Sequence, residues 1–199
     1  MRIPLALGTA ALVLFAQGRA FAQAIPREGA VTLAVERAFS IHTLHTDIEN
    51  EPDRDLTAFG LLWVRSESAL HVPRVALDVF VTDGLSVGGS LAFYAWSGDS
   101  DRSGFLLAPR VGYAFGLGRV VTFWPRGGLT FYSEEAPGGS PEYEQLALAF
   151  EAMFAFWPRH GFGILLGPTF DLGVTGEVGD DRDFQQRSFG LSFGLLGVL

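Results

Sequence analysis

Six ionisable residues, Glu36, Asp78, Arg110, Arg126, Glu151 and Asp171, fall at one parity within segments that alternate large apolar residues with small ones. If those segments are strands, all six project to the same face. Two guanidiniums among four carboxylates in a narrow interior have three chemical uses. They can neutralise one another as an ion-paired plug, because a lone buried charge is very costly. They can constrict or gate a pore. They can also supply a carboxylate pair for acid–base work, but nothing in their spacing specifies a substrate. The plug is the reading adopted.

Other reactive types are sparse. Ser40, His42, His45 and Asp47 cluster near the end of one segment, and serine, histidine and aspartate are the components of a nucleophile, base and orienter. Sequence proximity does not make a triad, and a solvated rim explains these residues more simply. His71 and His160 lie in connections without an evident partner. The chain has no cysteine, which excludes disulfides, thiolate metal sites, a cysteine nucleophile and a lipid-modified N-terminal cysteine. Carboxylates crowd four connections: Asp47, Glu49, Glu51, Asp53 and Asp55; Asp99 and Asp101; Glu134, Glu135, Glu142 and Glu144; Glu177, Asp180, Asp181 and Asp183. Such clusters can hold Ca²⁺, but EF-hand spacing is absent and solvated loops account for them. Arg54, Arg102, Arg182 and Arg187 nearby could meet lipid phosphates. Gly88-Gly89 and Gly127-Gly128 show no phosphate-binding pattern. No cofactor or metal is expected, and a net charge of −8 argues against nucleic acid.

The elements that must position these groups are strands. Phe189, Leu191, Phe193 and Leu195 alternate with Ser188, Gly190, Ser192 and Gly194; Leu146, Leu148 and Phe150 alternate with Ala147, Ala149 and Glu151. A soluble barrel with its apolar face inward would need a charged exterior. Here the second face is glycine, alanine, serine and threonine, and lysine is absent. The apolar face therefore meets lipid and the small face lines a lumen. Expected strands are Val31–Thr43, Arg74–Thr82, Leu85–Ser97, Phe105–Phe115, Val120–Ser133, Gln145–Trp157, Phe162–Val174 and Arg187–Leu199. Short turns (82–84, 116–119, 158–161) alternate with long loops (98–104, 134–144, 175–186). This gives an all-β, transmembrane, antiparallel up-and-down barrel of eight strands, with ten as the alternative. Leu56–Val64 also reads as a strand. It is either the outer part of a long second strand bent near 66–73, or a separate strand. Pro109, Pro125 and Pro168 fall inside strands on the lipid side. Pairing across the 116–119 turn sets Pro109 opposite Arg126 and Pro125 opposite Arg110, which calls for a bulge. Tyr113, Phe115, Phe156, Trp157 and Phe162 near the short turns, with Phe93, Phe131 and Phe189 near the long loops, read as interfacial belts.

Residues 1–22 read as a signal peptide that is removed. Arg2 starts it, Ile3–Phe15 is its apolar stretch, and Ala20-Phe21-Ala22 is a cleavage pattern, with Ala22-Gln23-Ala24 as a second candidate. Losing Arg2 and Arg19 takes the charge from −8 to −10 and leaves residues 23–199 as one barrel domain.

On hairpin layout, aromatic content and the terminal strand, the chain resembles the small bacterial outer-membrane barrels of the OmpA, OmpX and OmpW type. The resemblance covers about residues 30–199. It implies residence in the outer membrane of a Gram-negative cell, contact with outer-membrane lipid, and handling by the barrel-assembly machinery. Members typically end in an aromatic residue, whereas this chain ends in Leu199. The group includes structural proteins, adhesins, channels and a few enzymes. The function expected here is non-enzymatic: envelope structure or surface interaction through acidic extracellular loops. A small passive channel is the first alternative and a lipid-modifying enzyme the second.

Overall fold

The computed structural model describes residues 26–61, 68–96, 102–135, 142–159, 161–179 and 182–199. The signal-peptide segment 1–22 lies outside them. Ten strand segments follow in order: β1 (Val31–Ile48), β2 (Arg54–Leu61), β3 (Arg74–Phe80), β4 (Leu85–Trp96), β5 (Arg102–Tyr113), β6 (Phe115–Gly116), β7 (Val121–Glu135), β8 (Glu142–Arg159), β9 (Phe162–Val178) and β10 (Arg182–Val198). All pairings are antiparallel, and β10 pairs back onto β1 to close the sheet.

Ten segments make eight staves. β2 and β3 both pair with β1, β3 along Val31–Glu36 and β2 along Phe39–Thr46. They are two halves of one stave. β5 and β6 likewise share β7. The open question over residues 44–73 thus resolves to a long second stave, interrupted rather than merely bent. Ser68 to Pro73 are buried, and a single 3-10 turn at Ala69–His71 occupies the lumen.

The parity follows the sequence. Leu91, Phe93, Phe150, Phe189 and Leu191 are each more than half exposed on the outer face, while Ala92, Ala149, Ser188 and Ser192 are buried on the inner one. An aromatic row, Tyr113–Phe115–Phe123–Phe154, crosses three staves near the short turns with centroid spacings of 4.7, 6.2 and 5.0 Å, as an interfacial girdle requires.

Three features depart from the expectation. Strands run further into the acidic segments: β7 continues to Glu135, β8 starts at Glu142, β9 ends at Val178 and β10 starts at Arg182. Polar residues replace the apolar outer face there, yet the ladders continue. Secondly, Gly112, not Pro109, stands opposite Arg126, and Arg110 faces Gly128. The intervening turn is wider than four residues: Phe115 and Gly116 pair with Phe123 and Thr122, and Gly118 holds φ 131°. The ladders keep one register past all three prolines, so no bulge occurs there. Thirdly, the register shift at the level of the charged layer is a bulge in β1. Between Val35 and Phe39 this strand advances four residues while β10 advances two, from Leu195 to Phe193. Arg37 sits at φ 53°, and Glu36, Arg37 and Ala38 are all buried. A non-glycine residue in that region costs on the order of 1–3 kcal/mol, so its surroundings must hold it there.

The lumen is filled in three layers. Phe80, Trp124, Met153, Leu165 and Leu196 pack at the short-turn end. Charged residues occupy the middle. Leu70, Val72, Tyr94, Leu106, Tyr132 and Phe184 pack toward the long loops.

Candidate functional site

The charged layer is built from inward positions on six of the eight staves, and the structure brings all six expected residues into it. Arg110 of β5 is its hub. Its Nε and Nη2 donate to the Asp78 carboxylate at 3.0 and 2.6 Å, and its Nη1 and Nη2 donate to Glu36 at 2.6 and 2.9 Å. Arg126 of β7 reaches Glu36 at 2.5 Å and Glu151 at 2.6 Å while lying 4.8 Å over the Trp124 ring. The long side chain of Arg110 has room because its neighbours on both flanking strands are glycines. A Cβ at Gly88 would meet Asp78 Oδ1 at 2.7 Å, and one at Gly128 would meet Arg110 Cβ at 2.9 Å.

Two arginines complete the layer that parity reading did not include. Arg37, turned inward by the bulge, pairs with Asp171 at 2.8 Å and lies 3.6 Å from Glu151. Its Nη1 also donates to the Leu70 carbonyl. Arg74 Nη2 donates to that same carbonyl at 2.9 Å and makes no ion pair among the described residues. Arg74 carried a readable signal, since it shares parity with Asp78 four residues on. Arg37 carried none: adjacent to an inward Glu36, strict alternation turns it to lipid. The layer therefore holds Arg37, Arg74, Arg110 and Arg126 against Glu36, Asp78, Glu151 and Asp171, four positive and four negative charges, all less than a tenth exposed. Such a set is formally neutral, and each carboxylate has an arginine to offset its desolvation.

The histidines are arranged otherwise than expected. His71 has partners: it stacks on His42 at 4.2 Å, and Ser188 Oγ lies 2.9 Å from His71 Nε2 and 3.2 Å from His42 Nδ1. His42 and Ser40 are buried in the lumen, whereas His45 is part-exposed and bonds Asp55 at 2.8 Å. Ser40, His42, His45 and Asp47 thus divide between the two faces of β1 and form no triad. His160 lies outside the described residues. At the rim, Glu51 takes both Arg54 (3.1 Å) and Arg182 (2.9 Å). Among the described residues no group of three or more potential ligands could hold a metal ion.

Above the inner plug the lumen opens into a cup of about 530 Å³, walled by Leu44, Ile48, Leu56, Tyr132, Tyr143 and Phe184 and floored by Ser68 and Ala69.

A closed eight-stave barrel with an apolar exterior and a polar, filled interior defines the architecture of the small bacterial outer-membrane proteins. The solved structures agree. Neisserial surface protein A superposes with a TM-score of 0.58 at 14% identity, over 85% of this chain and 99% of that one. The outer membrane protein AlkL, determined in lipid bilayers, gives 0.51 at 12% identity, over 92% and 96%. No protein-family model and no curated protein matches the chain. The chain is an outer-membrane-type β-barrel, and its apolar belt suits it to the bacterial outer membrane.

Proposed function

We propose that this barrel is a sealed, non-enzymatic protein of the outer membrane that serves envelope structure or surface interaction through its acidic loop end. One observation carries the reading: the lumen is blocked by a neutral four-against-four charge layer held between two apolar layers. A pore needs a continuous polar path, and an eight-stave lumen is only wide enough for its own side chains. The long-loop end faces the medium in this architecture, which presents Glu49, Glu51, Asp53 and Asp55 outward. Outer-membrane lipid is then its first partner, and the barrel-assembly machinery meets β10 during biogenesis. Planar-bilayer recording of the purified barrel tests the seal. The wild type should show no steady conductance, and replacing Arg110 and Arg126 together by alanine should raise it. Large, steady wild-type conductance would refute the seal and favour the passive channel.

A further inference from the structure

The cup at the loop end has a chemistry of its own. Most of its described polar wall groups are already hydrogen-bonded to neighbouring groups, in the wall or just behind it. Gln145 Nε2 donates to the Gln186 carbonyl at 2.9 Å, and the Gln186 N–H returns a bond to Gln145 Oε1 at 3.0 Å. The Tyr132 hydroxyl lies 3.0 Å from Oε1 of both glutamines, and Ser68 Oγ donates to Gln186 at 2.7 Å. Arg54, the single cation among the described residues of the wall, is held by Glu51 at 3.1 Å. A ligand that depends on fresh hydrogen bonds, or an anion seeking a guanidinium, has little to gain there.

What the wall offers instead is aromatic surface and negative field. Tyr143 and Phe184 meet edge to face at 5.2 Å, and Tyr132 stands in the same wall. Among the described wall residues, Asp55 and Glu134 set two carboxylates against one guanidinium, and acidic residues continue along the strand ends at this end of the barrel. Aromatic faces attract cations most strongly when those cations are weakly hydrated, and clefts lined by one sign of charge concentrate ions of the other. The volume, about 530 Å³, lies within the roughly 300–1,000 Å³ of small-molecule sites.

We infer that the cup is a dead-end binding site for a small organic cation of the quaternary-ammonium class, seated by the Tyr143–Phe184 pair. Such a cation has no N–H to satisfy, which matches a wall whose described polar groups are mostly hydrogen-bonded already. The site goes beyond the sealed-barrel reading: binding in the cup requires no passage through the barrel.

Calorimetric titration of the refolded barrel in a non-ionic maltoside detergent, whose headgroup carries no ammonium, tests it, with benzyltrimethylammonium as the probe. One saturable site is expected. Tetramethylammonium, which lacks the ring, and benzoate, which reverses the charge, should each bind at least tenfold more weakly. Tyr143→Leu, at a part-exposed position, removes the ring while preserving an apolar side chain, and should weaken binding at least fivefold in a barrel that still migrates as folded on a gel. Benzoate binding as tightly as the cation, an unchanged affinity in Tyr143→Leu, or no saturable heat would each overturn the inference. Bilayer conductance is read separately, so a leaky barrel that still binds the cation would refute the seal and leave the cup standing.

Discussion

Replacing Arg110 by methionine is the sharpest perturbation of the charged layer. Methionine retains much of the apolar stem, so the change removes the guanidinium more than the packing. The consequences for the two partners differ. Glu36 keeps Arg126 at 2.5 Å, whereas Asp78 forms no other ion pair among the described residues. The variant therefore strands one carboxylate that is 1% exposed. Breaking a buried pair in this way costs about 3–5 kcal/mol. Arg126→Met should cost less, about 1.5–3 kcal/mol as for lost charged hydrogen bonds, because it strands nothing. Glu36 keeps Arg110, and Glu151 keeps Arg110 at 3.5 Å and Arg37 at 3.6 Å. Asp78→Asn leaves Arg110 its two bonds to Glu36 and belongs in the same lower range. The double variant Arg110→Met with Asp78→Asn no longer buries the stranded charge and should be more stable than Arg110→Met alone. Urea unfolding of the four proteins in lipid vesicles, followed by tryptophan fluorescence, measures these differences. Equal costs for Arg110→Met and Arg126→Met, or additive costs in the double variant, would refute the assignment of Asp78 to Arg110.

Three further outcomes are expected. Leu191→Arg, on the lipid face and 53% exposed, should destabilise by about 2–4 kcal/mol if it lies near the membrane midplane, while Leu117→Arg in a short turn should cost about 0–1 kcal/mol; the same unfolding assay compares them. Gly127 and Gly128 should respond oppositely to alanine: a Cβ at Gly127 finds its nearest atom at 3.6 Å, whereas one at Gly128 meets the Pro109 carbonyl at 2.1 Å, a clash of the kind that costs about 1–3 kcal/mol. Intact-mass measurement on protein isolated from an outer membrane should give a chain beginning near Gln23 or Ile25, and retention of residues 1–22 would sink the signal-peptide reading.

Most of the barrel was legible because one rule, alternation at period two, runs through every stave and is read from local sequence alone. It failed where geometry is not local. The width of the 116–119 turn set the Pro109 and Arg126 register wrong, since a turn residue at φ 131° such as Gly118 leaves no mark on the flanking alternation. Strand ends in acidic segments were cut short because charged residues such as Glu135, Glu144 and Asp183 replace the apolar outer face while leaving the ladder intact. His71 looked partnerless because its partners, His42 and Ser188, stand 29 and 117 residues away in sequence. Within the charged layer, the residues on unbroken strands could be picked by parity, and Arg37 could not, because a bulge suspends parity where it occurs.

The bulge and the broken second stave are one feature seen on two strands. β3 ends its ladder with Glu36 opposite Arg74, and β2 begins its own with Phe39 opposite Leu61. Arg37 and Ala38 are the residues between. Where the second stave leaves the wall, β1 carries two more residues than β10 opposes, and the strain at Arg37 falls at that level. The guanidinium so turned inward then serves both sides of the break, pairing with Asp171 and holding the Leu70 carbonyl of the inserted turn, with Arg74 on the same oxygen. A buried carbonyl at a turn needs a donor, and Asp171 needs a cation. One left-handed residue meets both needs. Straightening β1 by deleting Arg37 and Ala38 would therefore not yield a more regular barrel. It would leave Asp171 without its ion pair and Leu70 with one donor instead of two, at the level where the lumen is sealed.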